Sequence, residues 1–225
     1  MTTTHTHLEP LPLDPQIVCT LSSVATATLT TILLKNGLRN VWMRGTRPLK
    51  PGQPRVVGRA FTLRFVPARE DLATPASWGS PISTRAAIEA MPAGCVAVVD
   101  AMGVTDAGIF GDILCARMAK RKVAALVTDG VMRDVSGVLA TGLPIWCQGA
   151  AAPASVNGLT FVNWQEPIAC GGELTRMPLN AQAEGVYTIA VTPFRHRDGS
   201  VGIRLVDNKW VPACAGTTRT QGKGP

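Results

Sequence analysis

Apolar and polar positions along this chain follow two different periods, and the changes of period mark its elements. After a polar, threonine-rich start, Asp14-Pro15 supplies a helix cap with proline at the first helical position. "QIVCTLSSVATATLTTILLKNG" then carries apolar residues at helical spacing and predicts one or two helices, stopped by Asn36-Gly37. "RVVGRAFTLRFVP" (55–67) lies between Pro54 and Pro67, is β-rich, and predicts a strand or a bent pair of strands. A polar loop begins at "ARED" (68–71), and "PISTRAAIEAMPAG" holds a helix that ends before Pro92.

From residue 95 the pattern is regular. "CVAVVD" predicts a buried strand, 111–122 a helix, "VAALVTD" a second buried strand, "DVSGVLATG" a short helix and "PIWCQG" a third strand. Continuous apolar strands alternating with helices predict parallel β–α–β units with right-handed crossovers. The class is α/β. Further on, "EGVYTIAVTPFRHRDGSVGIRLVDNKWVPA" predicts two strands around an Asp198-Gly199 turn, and "CAGTTRTQGKGP" reads as an unstructured end.

Composition narrows the class of protein. With 46% hydrophobic and 16% charged residues, the 225-residue chain reads as globular and able to build one sizeable core. Its longest apolar runs are short and broken by threonine or aspartate, so no membrane span is expected. The N-terminus lacks a basic region followed by an apolar stretch, so no secretory signal is expected and the cytoplasm is the predicted location. Six scattered cysteines form no CxxC pair, and most sit in apolar segments where a buried free thiol is the common case. The net charge of +7 divides as +4 over residues 1–172 and +3 over 173–225. Basic residues are dispersed apart from "KRK" (120–122), at the end of a predicted helix where cations suit the dipole. With no aromatic signature for bases, nucleic acid is excluded as a partner and an anionic substrate is favoured.

Histidine is confined to His5, His7 and His196, which excludes a central Ser-His-Asp or Cys-His machine and a histidine-rich zinc site. Nucleotide-binding glycine motifs are missing as well. What remains is carboxylate, arginine and backbone chemistry, and oxygen ligands of that kind suit Mg²⁺ or Mn²⁺. One unit concentrates it: "GDILCARMAKRKVAALVTDGVMRD" (111–134) opens on Gly-Asp and closes on Arg-Asp. A helix start offers free N–H groups to an anion, and sites in parallel sheets gather at the carboxyl ends of strands. Read singly, Asp112 is also a plain helix cap, Asp129-Gly130 a turn, and Arg133-Asp134 the cap of the next helix.

That unit resembles the signature of the RraA-like family, which includes 4-hydroxy-4-methyl-2-oxoglutarate aldolases and the regulator of ribonuclease activity A. The signature is Gly-Asp-x-x, a helix, an apolar strand, then Asp-Gly-x-x-Arg-Asp; the separation of 22 residues between Gly111 and Arg133 matches its spacing. "TLRFVPARED", "GCVAVVD" and "PIACGG" are similar to further family segments. The resemblance spans 13–172, leaving 1–12 as a disordered N-terminus and 173–225 as a divergent, partly disordered segment that lacks the family's Pro-Gly-Asp turn and closing strands. It implies a single-domain swivelling β/β/α sandwich assembled as a homotrimer with sites between subunits. By position, it implies that the backbone of Gly111, Asp112, Ile113 and Leu114 holds substrate, Arg133 binds the substrate carboxylate, and Asp134 binds the metal. Arg133 and Asp112 would be catalytic, Asp112 through water. The implied activity is a metal-dependent (class II) aldolase or lyase releasing pyruvate from a pyruvyl dicarboxylate, with oxaloacetate decarboxylation as a related activity. The alternatives are a non-catalytic regulator that binds a ribonuclease or other partner, and an inactive truncated member.

Overall fold

Asp14 accepts the Gln16 N–H at 2.7 Å and sets Pro15 as the first residue of helix α1 (Pro15–Ser23). In this computed structural model, residues 13–37, 39, 41–71, 74–166 and 168–172 are described, together with the strand backbones at 191–195, 201–205 and 210–212. The long apolar run of the sequence is two helices, α1 and α2 (Thr26–Lys35), bent by 106° at the break between them. Arg55 holds that break, its Nη1 donating to the carbonyls of Ser22 and Val24 at the end of α1. Among the described residues, no single helix is long and apolar enough to cross a membrane.

Strand β1 (Arg47–Pro48) comes next, and β2 (Ala60–Pro67) fills only the second half of the strand predicted over 55–67. Helix α3 (Thr84–Ala90), capped by the Ser83 side chain, leads to β3 (Val96–Asp100). Helix α4 (Asp112–Lys120), β4 (Ala125–Thr128), the two-residue β5 (Val131–Met132), α5 (Val135–Ala140) and β6 (Ile145–Cys147) follow. Then come β7 (Gly149–Ala150) and β8 (Leu159–Trp164). The main sheet has the order β1-β6-β4-β3-β2-β8. Its four central strands are parallel, as the β–α–β reading requires, and β1 and β8 close it antiparallel. The sequence pattern gave no strand at β8, because Asn163 interrupts a short apolar run that follows Asn157-Gly158.

Alternation along the strands divides the core. Ala97, Val99 and Leu126 face the helices and pack with Ile88 and Met91 near α3, Cys115 and Met118 of α4 and Val138 of α5. Val96, Val98, Ala125 and Val127 face the other way, against Ile168, Cys170 and the partly buried Met43 and Trp146. Cys95 and Cys115 are buried free thiols pushed up to about 12 by burial, which fits packing and not nucleophilic chemistry.

Strands β9 (Val191–Arg195), β10 (Val201–Leu205) and β11 (Trp210–Pro212) form a separate antiparallel sheet in the order β11-β10-β9. They include the two strands expected here, whereas the Asp198-Gly199 turn and residues 1–12 lie outside the described residues.

Candidate active site

The carboxyl ends of β3 and β4 lie side by side, Val99 opposite Thr128; β3 ends on Asp100 and β4 runs on into Asp129. Asp100 is 4% exposed and Asp129 is 2% exposed. Neither carboxylate is left bare. Asp100 accepts N–H bonds from Met102 (3.0 Å) and Ala169 (2.8 Å), and Asp129 from Ala101 (2.7 Å) and Gly171 (3.1 Å). The two carboxylates therefore pin the loop carrying "ACGG" over the strand ends. Beside them is a cavity of about 650 Å³ whose lining includes Arg44, Arg64, Asp100, Asp129, Gln148 and Gly171.

Burial pushes the Asp129 carboxyl above its ordinary 3.8, and the Asp100 carboxylate adds to the shift, while the N–H bonds from Ala101 and Gly171 oppose it. The contribution to stability is then fully present below the unfolded value and is lost as pH rises through the raised folded value. Asp129→Asn keeps the shape but turns one acceptor into a donor against an N–H, and is expected to cost about 1–3 kcal/mol. Thermal midpoints checked from about pH 4 towards neutrality should show the wild type's margin over this variant shrinking as pH rises.

The second cluster is built where two chain segments run together. Ile109 N–H donates to Val131 O (2.8 Å) and Arg133 N–H to Phe110 O (3.0 Å), which brings the start of α4 against the β5–α5 junction. Close approach depends on glycine: a Cβ on Gly108 would lie 2.7 Å from Arg133 Cβ, and one on Gly111 would lie 2.5 Å from Asp134 Oδ2. Gly111, Asp112, Arg133 and Asp134, far apart in sequence, thus meet at one place. The carboxylate of Asp129 is not among them, since both of its oxygens are engaged at the strand ends.

Arg133 Nε donates to Asp134 Oδ2 at 2.9 Å, and the side chains are 36% and 44% exposed. That bond turns the guanidinium so that its two terminal nitrogens have no partner among the described residues. Asp134 occupies the cap position of α5, but its side chain makes no capping bond. It sits in the left-handed region (φ 52°, ψ 43°), where aspartate is tolerated and backbone strain collects at functional sites. The cap of α4 is Gly111, and Asp112 is its first residue. Asp112 Oδ1 accepts the N–H of Ile113 at 2.7 Å, so that helix-start donor is already taken. Ile113 is 79% exposed and faces outward beside the cluster.

Carboxylate oxygens with no thiolate or imidazole suit Mg²⁺ or Mn²⁺, which take one or two protein carboxylates and fill the other positions with water and substrate oxygens. Among the described residues no three His, Cys, Asp or Glu side chains gather. The donor set fits an open site of that kind and not an all-protein cage. Asp100, Gly108 and Gly137 escaped the sequence reading. A signal for Asp100 was present, since two neighbouring apolar strands each run into an aspartate.

The fold and this cluster define a family, and comparison with known proteins agrees. The chain belongs to the RraA-like family, whose model (Aldolase/RraA) matches residues 24–178. It is 34% identical over 140 residues to a provisionally named 4-hydroxy-4-methyl-2-oxoglutarate aldolase of Halalkalibacterium halodurans, covering 61% of this chain and 59% of that protein. Protein DlpA of Legionella pneumophila is 26% identical over 127 residues, covering 56% of this chain and 19% of that protein. The chain therefore spans less than two thirds of the length of either relative. The crystal structure of Streptomyces coelicolor RraAS2, described as an unusual member of the RNase ES inhibitor RraA family, is similar in fold. It has a TM-score of 0.64 and 30% identity, covering 90% of this chain and 86% of that one.

Proposed function

We propose that this protein is a divalent-metal-dependent carbon–carbon lyase that releases pyruvate from a pyruvyl dicarboxylate of the 4-hydroxy-4-methyl-2-oxoglutarate type, and that it also decarboxylates oxaloacetate. The observation that carries the reading is the Arg133–Asp134 pair. One guanidinium edge is spent on orienting the carboxylate, and the terminal nitrogens are left for a second, substrate carboxylate. The N–H groups at the start of α4 other than that of Ile113, which Asp112 holds, favour the same anion together with the positive end of the helix. Asp134 is the proposed metal ligand. A divalent cation there would supply Lewis-acid stabilisation of the negative charge that develops on the keto oxygen. Asp112 is proposed to act through water, taking up the proton from the hydroxyl on the scissile carbon as the C–C bond breaks and returning one to the new methyl group.

One chain leaves this cluster open to solvent, whereas charge-stabilising chemistry needs water excluded. A homotrimer with a neighbouring subunit over Ile113 and Arg133 would close it, and we propose that assembly with a cytoplasmic location. A second reading, a regulatory binding protein, is favoured by the likeness to RraAS2 and by the exposed Ile113.

The test is pyruvate release by the full chain from oxaloacetate and from 4-hydroxy-4-methyl-2-oxoglutarate, each against a metal-only blank. Activity is expected to vanish with excess EDTA and to return with Mg²⁺ or Mn²⁺. Full activity under chelation would remove the metal from the reading. No release above the blank, under any divalent ion, would favour the regulator.

A further inference from the structure

Glycine inside a helix lowers its stability, so a helical glycine whose backbone does not demand it needs another reason. Gly137 is such a residue. It is the third residue of the six-residue α5 and is not at positive φ, unlike Gly142 (φ 74°) just beyond the helix. The reason is Asp112. A Cβ on Gly137 would lie 2.7 Å from Asp112 Cβ, 3.0 Å from its Oδ2 and 3.2 Å from its Cγ. The other carboxylate oxygen, Oδ1, is tied to the Ile113 N–H. The Asp112 carboxylate is thus fixed on one side by its own helix and on the other by the bare backbone of α5. Gly111, the residue before Asp112, approaches Asp134 so closely that a Cβ on it would lie 2.5 Å from Asp134 Oδ2, which puts the start of α4 beside Asp134.

We propose that Gly137 is a positioning residue: the space left by its missing side chain holds the Asp112 carboxylate beside Asp134. This rests on the proposed lyase reading for its consequence in turnover, but the placement itself is measurable without turnover. In metal-free full-length protein, Gly137→Ala is expected to move the side-chain carboxyl ¹³C resonance of Asp112, while Ser136→Ala, an exposed change one residue earlier, leaves it in place. The added Cβ meets Asp112 Cβ on the α4 backbone, so the thermal midpoint of Gly137→Ala should fall modestly while the variant stays folded at the assay temperature. In the Mg²⁺-loaded protein, kcat for pyruvate release should fall about 10- to 100-fold with KM nearly unchanged, since misplacing a reacting group by about 1 Å acts on the chemical step. An unmoved Asp112 resonance would overturn the proposal. So would a collapsed thermal midpoint, which would return Gly137 to a packing role, or an equal loss in KM and kcat. A moved resonance in Gly137→Ala, together with a wild-type protein that releases no pyruvate, would keep the placement and discard the lyase reading alone.

Discussion

Arg133→Lys is expected to lose nearly as much activity as Arg133→Ala, with kcat/KM down about 30- to 1000-fold in both, or about 2–4 kcal/mol. The reason lies in how the guanidinium is used. Its Nε is committed to Asp134 at 2.9 Å, so only a group with further donors in the same plane can also fork onto a substrate carboxylate. Lysine can neutralise Asp134 or the substrate, but its ammonium is a point charge and cannot do both in a fixed geometry. Losing the fork should raise KM, and releasing Asp134 should lower kcat, so both constants move. The fold should not suffer, because an ion pair this exposed contributes only about 0–1 kcal/mol. Steady-state pyruvate release by the two variants checks this. Near-normal kcat/KM in Arg133→Lys would show that the side chain does no more than pair with its neighbour.

The parts of the fold that could be read in advance are those where one local signal dominates. Strands β3 and β4 are continuous apolar runs buried on both faces, and α4 has a clear polar face and a basic last turn, so the local pattern alone placed them. Strands β5 and β7 are two residues each and exist only because the chain on either side is already held. No periodicity can be read in two residues. At the site, the sequence marked Gly111, Asp112, Arg133 and Asp134, and the structure brings them together. It could not show that Gly111 makes room for Asp134, that Gly137 makes room for Asp112, or that Asp129 turns away to Ala101 and Gly171. Each of these is a contact between segments remote in sequence, invisible to any local pattern.

Asp134→Asn is the second large effect, and here the geometry removes the bland alternative. Were Asp134 a side-chain helix cap, asparagine would serve as well and the change would be silent. Its carboxylate makes no capping bond, however, and its backbone is left-handed, a conformation asparagine accepts readily. The substitution should therefore leave the metal-free fold intact while replacing a charged oxygen donor with a neutral amide. Mg²⁺ affinity should fall, and turnover should drop to the metal-only blank. The decisive measurement is pyruvate release by Asp134→Asn beside wild type at saturating Mg²⁺, with the metal-free thermal midpoint taken on the same preparations. Turnover at the blank level with an unchanged or raised midpoint is the expected result; wild-type turnover in the folded variant would contradict a metal-dependent site at Asp134.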